Sequence, residues 1–225
     1  MKDSYYDRTE ISNSDLSALW KYFHPDVNYY DPTNAYRFGN LIDAMITEVS
    51  KLNYFNRTVS DYEEPFSIED WQNAEAMRKA FTQDPMCVQL LLMSECQKIF
   101  SGIVKLKYGS VRFELSMRCK FDLWMPLLNW GGDIKSTTAT TQKQFEDACY
   151  HFDYDRQRAV YMTLSGAEKD IIIGISKVNH QIFKIPIARG DAFYTSGMEK
   201  FTDIAFKYWM LFEDVKIKQV AYNEY

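Results

Sequence analysis

Residues 99–125, IFSGIVKLKYGSVRFELSMRCKFDLWM, alternate apolar and polar side chains over most of their length and are interrupted once, at Tyr108-Gly109-Ser110. Alternation with a period of two puts the apolar side chains on one face, and a glycine in the middle lets the chain reverse. The segment is therefore read as two antiparallel strands joined by a turn.

Helical patterns precede it. ISNSDLSALWKYF offers Ser12 and Ser14 as N-caps ahead of Leu16, Leu19, Trp20 and Phe23, which predicts a helix from near Ser14. HPDVNYYDPTNAYR, with two prolines and several Asn and Asp residues, predicts a loop, and FGNLIDAMITEVSKL a second helix that carries Asp43. Tyr54 to Phe66 is polar and acidic. SIEDWQNAEAMRKAF then predicts a helix with Ser67 as N-cap and Asp70 at its third position, stopped by Pro85, and PMCVQLLLMSEC a short helix.

After the hairpin, a further strand is expected to reach Asp133 to Lys135. Residues 141–163 have the length of one major helix, with aromatic crowding as the place for a kink or break. DIIIGISKV has the apolar run of a strand buried on both faces, HQIFKIPIA is its hairpin partner, and a final helix is expected near residues 190–213. The expected fold is one α/β domain spanning residues 1–225, a central mixed sheet of four or five strands flanked by helices, with the active site near the ends of the second and third core strands at one edge.

Composition removes several alternatives. Hydrophobic residues at 46% and charged residues at 25% argue against disorder. The N-terminus lacks an apolar signal core and no apolar run approaches the ~18 residues of a membrane span, so a cytoplasmic protein without a membrane partner is expected. Cys87, Cys96, Cys119 and Cys149 are scattered, unlike zinc or iron–sulfur ligands, and are read as reduced, mostly buried thiols. His24, His151 and His180 lack paired spacing, and Gly131-Gly132 belongs to neither GxGxxG nor GxxxxGK[ST]. The net charge is −5, yet residues 96–145 carry eight Lys or Arg against Glu114, Asp122 and Asp133. That stretch is +5 and the remainder −10, a distribution that suits either a solvated strand face or contact with phosphates.

The chemistry-bearing feature is Asp122 followed eleven positions later by Asp133-Ile134-Lys135. On a strand, Asp133 and Lys135 share a face while Ile134 points to the other, and an Asp122 ending the neighbouring strand brings its carboxylate to that of Asp133. Paired carboxylates suit a hard cation such as Mg²⁺ or Mn²⁺, which also binds phosphate oxygens. Lys135 would then orient water or stabilise charge at phosphorus. Standing alone, the same spacing also fits a plain surface strand.

Several blocks in order resemble one family. MRCKFDLWMPLLNWGGDIKSTT, YHFDYDRQRAVYM, ISNSDLSAL, FGNLIDAMITE and MSECQKIF are similar to successive segments of the RecE-like (exodeoxyribonuclease VIII-type) exonucleases of the PD-(D/E)xK superfamily, over residues 11 to about 162. The resemblance implies that Asp122, Asp133 and the carbonyl of Ile134 bind metal and that Lys135 is catalytic. It further implies that Glu95 adds a ligand directly or through water, and that Gln157 and Tyr161 lie on one helix face over the site. Asp43 stands where the family usually has a histidine, so an anionic oxygen replaces an imidazole there, as a ligand or as a plain helix residue. The implied activity is Mg²⁺- or Mn²⁺-dependent exonucleolysis of double-stranded DNA in phage-type recombination or repair. A single-strand annealing protein is the implied partner and a homo-oligomeric ring the implied assembly. Another PD-(D/E)xK endonuclease, a single-strand nuclease and a catalytically silent DNA-binding relative are the alternatives.

Overall fold

The computed structural model describes residues 5, 8–25, 33–60 and 64–213, so residues 26–32 of the loop expected at 24–37, and residues 61–63 of the polar, acidic stretch, lie outside the described residues. Helix α1 is Asn13–Phe23. Ser12 rather than Ser14 caps it, because Asp15 stands three residues on and bonds back to the Ser12 N–H at 2.7 Å. Helix α2 is Thr33–Thr47 and includes residues whose composition suggested a loop. Beyond a 3₁₀ turn at Val49–Lys51, strands β1 (Leu52–Asn53) and β2 (Thr58–Val59) form a small hairpin that the polar sequence there did not announce.

Ser67 caps α3 (Ile68–Gln83) as expected, and Asp84 caps α4 (Pro85–Leu92) through the Cys87 N–H. Next come β3 (Glu95–Tyr108), β4 (Val111–Met125) and β5 (Trp130–Thr137). The single long helix expected at 141–163 is two, α5 (Gln142–His151) and α6 (Tyr154–Ser165). They part at Asp153, whose φ of +55° is tolerable for Asp and whose carboxylate is held by Lys200 at 2.8 Å. Strands β6 (Lys169–Ser176) and β7 (Ile182–Ala188) precede α7 (Ala192–Tyr208), which ends in a π-helical turn at Trp209–Glu213.

The main sheet runs β3-β4-β5-β6-β7, antiparallel throughout except for the parallel pair β5 and β6, which α5 and α6 connect. Helices α1, α5, α6 and α7 cover one face and α2, α3 and α4 the other, so the expected mixed sheet flanked by helices is present, with five strands. Strand β6 is apolar throughout its middle because Ile171, Ile173 and Ile175 pack toward α2 and α3 while Ile172 packs toward α5 and α6. No helix among the described residues is long and apolar enough to cross a membrane.

Two local features place the site. On β4, Met117, Cys119 and Phe121 pack on the α6 side, but Leu123 and Met125 pack on the α2 side, so the alternation changes phase at Asp122. Opposite that point, between the pairs Cys96 with Leu123 and Lys98 with Phe121, Gln97 has a φ of +55°. A left-handed non-glycine residue costs about 1–2 kcal/mol, and here it marks the bend that turns Asp122 out of the regular face. The second feature is Gly131: a Cβ there would lie 2.2 Å from the Phe121 ring and 2.9 Å from the Asp170 carboxylate. Gly131→Ala is expected to overpack the centre of the sheet and cost about 1–3 kcal/mol, read as a lower denaturation midpoint; an unchanged midpoint would show that Phe121 yields freely.

Candidate active site

Strand β5 presents Asp133 and Lys135 toward α6, while Ile134 joins the core under α2 and α3. The alternation read from the sequence is thus realised side chain by side chain. Asp122 sits three residues before the end of β4, at its phase change, and its Oδ2 accepts the Ile134 N–H at 2.8 Å. This bond carries the Asp122 carboxylate across to the D-x-K segment just where the β4–β5 ladder, which reaches Leu123 opposite Gly132, gives way. The site therefore lies between the second and third of five strands, inside the sheet rather than at an outer edge.

Charge is concentrated here. Asp133 Oδ2 and Lys135 Nζ are 2.5 Å apart, and Lys135 also lies 5.1 Å from the centre of the Tyr154 ring. Burial opposes charge on the Lys135 amine, but the Asp133 and Asp122 carboxylates outweigh it and hold the amine protonated, above its ordinary range. Burial, reinforced by Asp133, pushes the Asp122 carboxyl up to about 6. Asp43 on α2 belongs to the same group: burial and then Asp122 raise it well above the usual carboxylate range, with Lys135 working the other way. Asp43, Asp122 and Asp133 thus act electrostatically on one another or on one amine, an excess of negative charge that a divalent cation would relieve. Asp133 Oδ2 is buried against the Lys135 amine, a contact that such an ion would share or replace. The donor set, all oxygen, fits a hard cation.

Other expectations fare differently. Glu95 is exposed at the start of β3 and pairs with Lys98 at 2.6 Å. Tyr161 does lie on α6 near the site, but as a packed ring edge-on to Phe121, 5.1 Å between centres. Gln157 is half-buried with its Oε1 enclosed and unpaired. Among the described residues, no group of three or more His, Cys, Asp or Glu is drawn together tightly enough to form a preassembled metal cage. All four cysteines are free thiols, and Cys87, Cys119 and Cys149 are buried.

Sequence reasoning missed four residues. Gln97 donates from its amide to Thr47 Oγ1 at 2.9 Å and stands 3.5 Å from Asp122 Oδ1, linking β3, α2 and β4. No sequence signal marks this pair. Arg158 donates to Asp133 Oδ1 at 2.7 Å and to Asp170 Oδ2 at 2.9 Å, at the centre of the molecule. Asp170 did leave a trace, as a carboxylate heading a strand otherwise buried on both faces, which calls for a buried cation.

The family model described as a PDDEXK-like domain of unknown function (DUF3799) matches residues 14–216. No curated protein sequence matches the chain. Among solved structures, a phage related exonuclease from Haemophilus somnus 129PT is similar, at 11% identity and a TM-score of 0.43, over 94% of this chain and 96% of that one. LHK-Exo in complex with dAMP is similar at 10% identity and a TM-score of 0.36, over 94% of each chain. SSO0001 is similar at 12% identity and a TM-score of 0.36, over 88% of this chain and 85% of that one. The family match spans nearly all of the sequence and bears out the resemblance to the PD-(D/E)xK superfamily: the chain belongs to this family of PDDEXK-like domains.

Proposed function

We propose that the chain is a metal-dependent deoxyribonuclease that degrades double-stranded DNA from its ends. The observation that carries this reading is the meeting of Asp122 with the Asp133-Ile134-Lys135 segment, sealed by the Ile134 N–H, beside a third carboxylate at Asp43. Asp122, Asp133, Asp43 and the Ile134 carbonyl would hold Mg²⁺ or Mn²⁺. Such an ion supplies Lewis-acid polarisation of a phosphoryl oxygen and a lowered pKa for water.

The remaining work falls to the chain's own groups. Lys135, protonated and steadied over the Tyr154 ring, presents its N–H donors to the charge that develops on phosphate oxygens. Tyr161 supports the charged centre from below through Arg158, 4.4 Å from its ring centre, and Gln157 offers its enclosed amide to a backbone or lysine partner. The hairpin carries Lys105, Lys107 and Arg112 exposed, with Lys107 directly opposite Arg112. Like charges in register repel, so this end of the hairpin gains when phosphates lie against it. The end-directed activity, the phage-type recombination role, an annealing-protein partner and a ring assembly extend this reading through the RecE-like resemblance.

The test is incubation of the purified chain with linear and closed circular duplexes, with Mg²⁺ or Mn²⁺ and with chelator. Metal-dependent loss of linear DNA alone is expected. Equal attack on circles would replace the end-directed reading with an endonuclease, and intact DNA throughout would leave a silent relative.

The raised Asp122 carboxyl also fixes a sign. Its pKa rises from 3.8 to about 6 on folding, so the folded chain binds the proton more tightly, and that stabilisation is present at low pH and lost as pH rises through 6. In chelator, Asp122→Asn should therefore gain thermal stability over the wild type as pH climbs from about 3 to 7, a window that spans 3.8 and 6. Added Mn²⁺ at neutral pH should raise the wild-type melting temperature and leave the variant nearly unmoved. Parallel pH curves for the two proteins would contradict this.

A further inference from the structure

Arg158 touches no reacting group in the chemistry above, yet its charge is completely enclosed. It is 0% exposed, and its two carboxylate partners Asp133 and Asp170 are 2% and 3% exposed. Its guanidinium lies against two rings, 5.0 Å from the centre of Phe121 and 4.4 Å from that of Tyr161. Nε and Nη2 both engage Asp170 Oδ2, at 2.9 and 2.8 Å, while Nη1 donates to Asp133 Oδ1 at 2.7 Å. The absent side chain at Gly131 leaves room for both Phe121 and the Asp170 carboxylate. Two strands, one helix and a glycine are thus committed to holding one oxygen of Asp133.

We propose that Arg158 is a positioning residue that occupies Oδ1 of Asp133, so that a divalent ion reaches this carboxylate only through Oδ2, in exchange for the Lys135 amine that lies 2.5 Å from it, tuning the site toward small ions that carboxylates bind through single oxygens. The proposal rests on the metal-site reading given above and deepens it. Asp122 is arranged alike: the Ile134 N–H takes its Oδ2, leaving Oδ1 beside the Gln97 amide at 3.5 Å. Mg²⁺ and Mn²⁺ accept one oxygen from each carboxylate in a compact shell, whereas Ca²⁺ gains from carboxylates free to offer both oxygens. Locking one oxygen of each therefore penalises Ca²⁺ more than Mn²⁺. A neutralising role alone, Arg158 serving only to balance Asp170, predicts no such discrimination.

The full chain is titrated calorimetrically with MnCl₂ and with CaCl₂, as wild type, as Arg158→Lys and as the double variant Arg158→Met with Asp170→Leu. The double variant removes the buried cation together with its private anion, and Arg158→Lys keeps the charge but loses the planar fork. Circular dichroism identifies which variants fold, and the metal readout is taken from those. In a folded variant the Ca²⁺ affinity is expected to rise relative to Mn²⁺ by about tenfold or more, the scale on which outer partners of metal ligands act. An unchanged ratio in a folded variant overturns the role of Arg158 and leaves the metal site standing. Failure of both variants to fold assigns Arg158 to structure alone and likewise overturns the proposal. A wild type that binds neither ion overturns the metal site, and this proposal with it.

Discussion

Lys135→Ala is expected to lower metal-dependent DNA cleavage by about 10²–10³-fold, the loss seen when one preorganised donor to transition-state charge is removed. The fold should survive, because Asp133 keeps its bond from Arg158 and Asp122 keeps the Ile134 N–H. Cation binding should survive too, and even tighten, since the deleted amine is a positive charge 2.5 Å from Asp133 Oδ2. The variant therefore separates catalysis from assembly: Mn²⁺ and DNA still bind, and kcat falls. Cleavage at the wild-type rate would remove Lys135 from the chemistry.

The second large effect is on stability. Arg158→Met alone should destabilise the chain by about 3–5 kcal/mol, because it strands buried carboxylates without their cation. Asp133 retains Lys135, but among the described residues Asp170 is left with no other ion-pair partner. Adding Asp170→Leu should recover most of the loss, since removing both members of a buried pair for apolar residues of similar size is often near neutral. Denaturant titration of the single and double variants checks both halves. A single variant as stable as the wild type would mean that water reaches Asp170.

Nearly all the elements were legible in the sequence, and the misreadings have local causes. The 141–163 segment reads as one helix because nothing in it is a strong breaker; the split comes from Asp153, whose left-handed backbone is held by Lys200 from α7, a residue 47 positions away. Glu95, which the resemblance names as a ligand, is exposed and paired with Lys98, an ion pair between near neighbours on one strand that no strand pattern announces. The β1–β2 hairpin is too short for a period-two pattern to show.

What the sequence determined by itself was the set of strands and helices and the pairing of Asp133 with Lys135 on one face, because alternation, capping and periodicity are properties of neighbouring residues. Only the tertiary structure decided that β4 would change phase at Asp122, that Asp43 and Asp122 would raise each other's cost of ionisation from different elements, and that Arg158 would be buried against Asp133 and Asp170. Those outcomes depend on how layers of the fold press together: a helix pattern assigns an arginine to solvent, and only the packing of Phe121, Tyr161 and Gly131 around it makes the interior the place where its charge is best satisfied.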